Sequence, residues 1–464
     1  MNLLAHVDLS EPRRIHIVGI GGAGMSAIAG VLAATGHSVT GSDLAMSQAG
    51  RRLQDLGVTV VEGHSASNVG QVDLVVHSTA IPMDNPELSE ARQRGIPTLR
   101  RAEMLAAITR IWNTAAVAGT HGKTTTSAML AWILRYCGLR PNFIIGGDIV
   151  GLGTGFEVGG GDHLVVEADE SDGTFVTLDA SAVIVTNVEP DHLEHYGGFE
   201  ALEQAFDQFV SSAKGPRVVC LDDEGSARLA KAASCITYGT SVDADWRVTD
   251  TTDDGGTLSV MVEAAQTRVQ FTLRQPGLHN ALNATAALAA GVALGVDPVV
   301  AAEALSSFGG VGRRFERRGE AGGVEFIDDY AHLPTEVKAA IAAARSIGAE
   351  RLVTVFQPHR YSRTEQVWRD FHDAFEQTDV LFVTGIYSSG EQPRPGITGR
   401  LVANSFINSH PDADVRYVEQ LDDLAETLAG VLNPGDLCLT LGAGDLTHIP
   451  DRVQSMLKEA RGGT

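Results

Sequence analysis

Apolar and polar positions alternate between two rhythms along this chain. From residue 14 it reads RIHIVGIGGAGMSAIAGVLAATGHSVTGSD: a short apolar run, a glycine-rich turn, an Ala-rich stretch and a second β-type run ending in Asp43. That pattern predicts a βαβ unit of about 30 residues. Apolar runs recur at VDLVVHST (72–79) and IPTLRRAEML (96–105), so roughly the first 105 residues read as one small parallel α/β domain. Residues 110–114 form the join. Beyond them, TAAVAG (114–119) enters a second glycine-containing loop and a helix, and buried-type strands follow at HLVVEAD (163–169) and SAVIVTN (181–187).

Between 240 and 275 the texture turns polar, and TLSVMVEA and RVQFTLR alternate in the manner of an antiparallel hairpin. An Ala-rich helical stretch (281–306) leads into FGGVGRRFERRGEAGG, whose glycines and arginines read as a boundary with exposed charge. The runs GVEFIDDYAH, RLVTVFQPHR, DVLFVTGIY, DVRYVE and DLCLTLGAG then predict a third α/β domain. No repeat of fixed period and no low-complexity tail is visible.

Composition narrows the function classes. With 464 residues, about three domains are expected. Lys+Arg number 35 against 58 Asp+Glu, a net charge of −23 that opposes general nucleic-acid binding. The longest apolar stretch, residues 286–296, is too short to cross a bilayer, and the first residues lack the pattern of a secretory signal. A cytoplasmic protein with no membrane partner is expected. Cys137, Cys220, Cys235 and Cys438 form no C-x-x-C and read as buried apolar residues.

Candidate chemistry gathers where strands end. Gly19-Ile20-Gly21-Gly22-Ala23-Gly24 satisfies G-x-G-x-x-G between a strand and a helix, where backbone amides can approach a pyrophosphate. Asp43 ends the next strand, where a carboxylate can bind a ribose hydroxyl. A dinucleotide such as NAD, hence a dehydrogenase, is one reading of this loop; a structural tight turn is another. The second loop, Gly119-Thr120-His121-Gly122-Lys123-Thr124-Thr125-Thr126, is the stronger signal. It is shorter than G-x-x-x-x-G-K-[ST], but it holds one of only five lysines in the chain. Its amides and Lys123 suit ATP phosphates, and the Thr124 hydroxyl suits Mg²⁺. Two further strand ends, Glu167-Ala168-Asp169-Glu170-Ser171-Asp172 and Asn187-Val188-Glu189-Pro190-Asp191-His192, carry groups able to serve a nucleotide-bound metal. A dehydrogenase needs no second phosphate loop, and a nucleotide-gated binding module needs no Glu167 and His192 pair. His279-Asn280-Ala281-Leu282-Asn283 opens the Ala-rich helix and reads equally as an N-cap or a site. Asp328-Asp329-Tyr330-Ala331-His332 and Gln357-Pro358-His359-Arg360-Tyr361-Ser362-Arg363 again terminate apolar strands. The arginines of the latter and of Arg313-Arg314 suit carboxylate or phosphate through their planar fork, the Arg313-Arg314 pair reading equally as exposed charge at a linker.

Taken in order, GIGGAGMS, GSD, HSTAI, GTHGKTTT, EADESD, TNVEPDH, HNALNATAA, GRRFE, DDYAHLPTE, FQPHRYSRT and LGAGD make a series that resembles the Mur ligases over essentially the whole chain. The resemblance implies an α/β protein of three domains: an N-terminal Rossmann-like UDP-sugar domain (1–108), a central P-loop ATPase-type domain with an antiparallel addition (109–313), and a C-terminal Rossmann-like domain (314–464) that closes over an amino acid. It replaces NAD at the first loop by the diphosphate of a UDP-sugar, held by Gly21, Gly22, Ala23, Gly24, Asp43 and Ser78. It implies ATP at Gly119, Thr120, His121, Gly122, Lys123, Thr124 and Thr125, with Asn280 and Asn283 on adenine, Arg314 on phosphate and Asp329 on ribose. Thr124, Glu167 and His192 would hold Mg²⁺, and His332, Arg360 and Arg363 would face the muramyl carboxylate and amino acid. Lys123, Glu167, His192 and His332 are the implied catalytic residues. The implied reaction is ATP-dependent ligation of L-alanine to the lactyl carboxylate of UDP-N-acetylmuramate through an acyl phosphate, in peptidoglycan synthesis. A relative that joins a recycled tripeptide to the same UDP-sugar is the alternative. Two features depart from the family pattern: no lysine lies between His192 and Lys214, so no carbamate ligand is expected, and His332-Leu333-Pro334 stands where many relatives carry a second histidine.

Overall fold

The computed structural model describes residues 7–78, 80–191, 193–232, 234–265 and 267–462. Their strands form three sheets. The first contains β1 (Arg14–Val18), β2 (Ser38–Asp43), β3 (Thr59–Glu62), β4 (Leu74–His77) and β5 (Thr98–Arg100) in the order β3-β2-β1-β4-β5. Every pairing in it is parallel. Strand β1 is central because it is buried on both faces, whereas β3 at the edge leaves Thr59, Val61 and Glu62 exposed.

The second sheet has ten strands. They are β6 (Asn113–Ala118), β7 (Asn142–Ile149), β8 (Thr154–Val158), β9 (His163–Glu167), β10 (Ala182–Val185), β11 (Arg217–Cys220), β12 (Ile236–Gly239), β13 (Trp246–Asp254), β14 (Thr257–Ala264) and β15 (Thr267–Leu273), ordered β15-β14-β13-β12-β11-β10-β6-β9-β7-β8. The run from β13 to β7 is parallel and β8 returns antiparallel to β7. The polar stretch after 240 thus holds three strands, not a two-stranded hairpin. Strand β13 escapes the alternation test because its second half, DTTDD, is polar on both faces. Gly255 and Gly256, both at positive φ, make the two-residue turn into β14.

The third sheet orders β16 (Glu316–Ala321), β17 (Val324–Asp329), β18 (Arg351–Phe356), β19 (Val380–Thr384), β20 (Asp414–Val418) and β21 (Asp436–Leu441) as β16-β17-β21-β18-β19-β20. All pairings are parallel except β16 with β17. The arginine-rich segment expected to be a linker is therefore an edge strand. Its charges are paired, Arg317 with Glu325 at 2.7 Å and Arg318 with Asp451 at 2.6 Å.

Other expectations are corrected locally. The run 96–105 is strand only through Arg100; from there Arg101–Ile108 is helix, because the Glu103 carboxylate accepts the Arg100 amide at 2.7 Å and caps its first turn. The Ala-rich stretch is two helices, Leu278–Ala293 and Pro298–Ser306, the second N-capped by Asp297. Cys220 and Cys438 are buried, but Cys137 and Cys235 are only partly so.

Two compact units result: residues 1–251, 260–272 and 281–309, and residues 252–259, 273–280 and 310–464. The first unit contains the first sheet and most of the second. Helix 23–34, which follows the first glycine loop, packs on β7 and β8 there. Gly30 permits this approach, since a Cβ at that position would collide with the ring of Phe156. Among the described residues no helix is long and apolar enough to cross a membrane.

Candidate active site

In the first unit, both glycine loops lie at the carboxyl ends of parallel strands, as the motif spacing predicts. Gly19 and Ile20 donate their amides to the Ser42 carbonyl (2.8 and 3.0 Å), and Gly21 donates to Asp43 Oδ2 at 2.7 Å. Asp43 also accepts the Leu44 amide, so this carboxylate clasps the loop in addition to any ligand role. Ser78, at the end of β4, borders Gly19. Gly22, Ala23 and Gly24 open helix 23–34, whose first-turn amides have no intrahelical acceptors.

Beneath this loop, Glu87 is fully buried and accepts from Ser42 Oγ (2.5 Å), Asn68 Nδ2 (2.6 Å) and the Ser65 amide (3.2 Å), with His16 and His64 each 3.5 Å away. Burial opposes its charge, but these donors outweigh that cost and hold the carboxyl down at about 2.

The second loop runs from β6 into helix Lys123–Tyr136, with Gly119 and Gly122 both at positive φ. A side chain at Gly122 would strike Asn283, which fixes that asparagine against the loop. The segment after β10 anchors the loop: Asn187 accepts the Thr120 and His121 amides at 3.2 and 2.8 Å, and the Thr186 hydroxyl donates to the His121 carbonyl. Thr120 and Glu189 exchange hydrogen bonds as well. Asn187 and Glu189 thus act on loop shape. His192, assigned to metal from the sequence, lies outside the described residues.

Lys123 Nζ donates to the carbonyls of Gly119 (2.5 Å) and Thr120 (3.1 Å) and to Glu170 Oε1 (2.9 Å). Burial opposes its charge, yet Glu170, Asp169 and Glu167 together keep it raised. Burial pushes Glu170 upward, with the charge of Asp169 adding to it. Asp169 itself is held down at about 2: burial works against it, but Arg101, at 2.8 Å, and Lys123 prevail. Glu167 Oε2 accepts from Thr124 Oγ1 (3.0 Å) and the Gly146 amide (2.8 Å). Thr125 sits buried in the same first helical turn. A cavity of about 220 Å³ runs from Ser26 and Ala27 of the first loop's helix to Gly146, Gly147 and Asp148. Gly146 in its lining is the residue whose amide donates to Glu167.

In the second unit, Asp329 accepts the Phe315 and Ala331 amides at 2.7 Å each. Burial pushes it up to about 6 despite Arg314. Arg313 and Arg314 both lie over the Tyr330 ring, at 5.0 and 4.9 Å. His332 Nδ1 faces the Tyr330 carbonyl at 3.0 Å, and its ring meets His359 edge-on at 5.6 Å. His359 stacks on Tyr387 and accepts from Arg363 at 3.2 Å. Burial and the surrounding cations lower His359 to about 3, and burial lowers His332. Both rings are therefore neutral near pH 7 beside Arg360 and Arg363. Arg313, Phe315 and Arg360 adopt left-handed φ of 59°, 48° and 64°. Three of the six non-glycine residues at positive φ among the described residues thus fall around this cluster. Asn280 directs its amide to the Pro276 carbonyl at 2.8 Å and is a donor here, not an N-cap acceptor.

Among the participants that the sequence did not assign individually are Glu170, Arg313, Tyr330, His359 and Tyr387. The first four stand inside motifs that had been singled out, and only the fold selects them; Tyr387 lies in the run DVLFVTGIY, read only as a strand.

Two phosphate-type loops and a cationic cluster, each at strand carboxyl ends, define a nucleotide-using α/β enzyme of the Mur ligase type, and the chain belongs to that family. Residues 14–112 match the Mur ligase family catalytic domain, 117–291 the Mur ligase middle domain and 313–444 the Mur ligase glutamate ligase domain. Among its relatives is a UDP-N-acetylmuramate--L-alanine ligase of Solidesulfovibrio magneticus, 46% identical over 95% of this chain and 97% of the relative. The ligase of the same name from Geobacter sp. strain M21 is 45% identical over 97% and 98%. The crystal structure of UDP-N-acetylmuramate-alanine ligase MurC from Thermotoga maritima superposes with a TM-score of 0.84 at 31% identity, covering 97% of this chain and all of that one.

Proposed function

We propose that this protein joins L-alanine to the lactyl carboxylate of UDP-N-acetylmuramate at the expense of ATP, giving UDP-N-acetylmuramoyl-L-alanine, ADP and phosphate for peptidoglycan synthesis in the cytoplasm. The observation that carries the reading is the pair of phosphate-type loops in one compact unit, each at the carboxyl end of a parallel strand, with the Lys123 ammonium and the Thr124 and Glu167 oxygens gathered at the second. The relatives that share the name across nearly the whole chain support it. In this reading residues near 1–108 take the UDP-sugar, 109–313 take ATP and 314–464 take the amino acid.

The residues fit the chemistry. The lactyl carboxylate attacks the γ-phosphate, and the Lys123 ammonium and the loop amides offset the charge that builds up. Thr124 Oγ1 and Glu167 Oε2 converge as hard oxygen donors, fitting Mg²⁺, which would neutralise phosphate charge when bound. Among the described residues no three carboxylates, imidazoles or thiols converge, and His192 is a further candidate ligand. The resulting acyl phosphate has phosphate as leaving group; the neutral amine of L-alanine attacks its carbon, and the tetrahedral intermediate collapses to the amide. Arg360 and Arg363 hold carboxylates, and the neutral His332 stands ready to take a hydrogen bond. Asn280 and Asn283 are assigned to adenine, Arg314 to phosphate and Asp329 to ribose.

The test is ADP release with Mg²⁺ and UDP-N-acetylmuramate, comparing L-alanine, glycine, L-serine and the recycled tripeptide as acceptors. Release should depend on the UDP-sugar and be fastest with L-alanine. Preference for the tripeptide would replace this reading by the recycling ligase, and NADH binding with no ADP release would replace it by the dehydrogenase.

A further inference from the structure

We propose that Glu170 is a latch on the nucleotide loop: it occupies the Lys123 ammonium in the empty site, and a terminal phosphate must displace it. The inference rests on the loop being an ATP site. An ammonium has three hydrogens, and all three of Lys123 are used, on Gly119 O, Thr120 O and Glu170 Oε1. An arriving phosphate oxygen therefore has to take one of them. The two carbonyls belong to the loop backbone, and Thr120 is tied further to Asn187 and Glu189. They are fixed and neutral. Glu170 is neither: above about pH 7, to which burial raises it, it is the anionic partner of the Lys123 ammonium, and like charge drives it from an incoming polyphosphate.

The carboxylate is built to be released. Glu170 is 2% exposed, and its second oxygen has no hydrogen-bond partner among the described residues. Glu87, buried to the same degree, is held instead by three donors. A buried carboxylate with one idle oxygen is poorly compensated, so giving up Lys123 costs less than breaking a saturated network. Lys123 in turn stays charged and aligned before nucleotide arrives, because Asp169 and Glu167 remain beside it. Glu170 is thus a positioning residue: it stands in for phosphate, and it lowers affinity only for ligands that reach Lys123.

The measurement is the Kd of the non-hydrolysable triphosphate AMP-PNP, of ADP and of AMP, each with Mg²⁺, by calorimetry on the full chain and on Glu170→Gln. Removing the latch charge should tighten AMP-PNP binding about tenfold, ADP less, and AMP, whose single phosphate does not compete for Lys123, not at all. Glu170→Asp, which keeps the charge, should restore weaker AMP-PNP binding. Steady-state KM for ATP should fall in Glu170→Gln without a matching gain in kcat. A structural defect would weaken all three ligands, so unchanged or weaker AMP-PNP binding by Glu170→Gln overturns the latch. If the unaltered protein binds no adenine nucleotide, the ATP assignment fails with it; if it binds and the variant does not tighten, only the latch fails.

Discussion

Lys123 reaches its position because the first residue of a helix follows a left-handed glycine, and its charge survives burial because three carboxylates face it. Lys123→Ala should lower ADP release at least about a hundredfold, since a preorganised cation in a buried site is worth several kcal/mol to a charged transition state. Near-normal turnover by that variant would remove the loop from the mechanism. Glu87 supports a stability prediction. Its carboxyl is held at about 2 against an ordinary value of 4.5. A depressed carboxylate contributes stability above the unfolded value and loses it as pH falls through the folded one. Glu87→Gln should therefore cost about 3 kcal/mol at pH 7, and the gap to the unaltered protein should close between about pH 4.5 and pH 2. Urea titrations across that range measure it; a gap independent of pH would show that the charge is not what stabilises.

Elements set how closely these residues approach. Helix 23–34 meets β8 where Gly30 faces Phe156. Gly30→Ala should destabilise by about 1–3 kcal/mol through overpacking, despite the helix propensity it gains. In a Phe156→Ala background the same change should cost far less, so a double-mutant cycle by thermal or urea unfolding should give strong coupling. Additive costs would mean that the ring moves freely aside. Much of the element pattern was legible: most strands that end in a motif, among them β1, β4, β6, β9, β10, β18 and β21, are largely runs of buried residues dominated by apolar ones, whereas β2, reading SVTGSD, and β17, reading VEFIDD, mix polar and apolar positions. The strands that escaped are edge, short or polar ones. Strand β16, reading ERRGEA, buries only its last residue, and β7 dilutes FII with two glycines. Such segments become strands because a neighbour offers a free ladder, which is information held by the partner and not by the segment.

At the scale of the whole molecule, a net charge of −23 must coexist with two polyanionic substrates. The resolution is local cations: Lys123 in the first unit, and Arg313, Arg314, Arg360 and Arg363 in the second. Long-range repulsion with short-range attraction has a measurable consequence. The association rate of a fluorescent ATP analogue should rise about twofold as salt is raised from low to physiological ionic strength, because screening removes the distant repulsion first. A steep fall would indicate a net attractive field around the site. The chain's motif order by itself determined family, domain count and reaction class, because each phosphate loop needs contiguous residues: a strand, glycines and a helix start. Only the tertiary structure decided which acidic and aromatic side chains serve those loops. Glu170 meets Lys123 across 47 residues, Glu87 meets Ser42 across 45, and His359 meets Tyr387 through the ends of two strands. Such partners are chosen by sheet order and register, and no local window of sequence contains either.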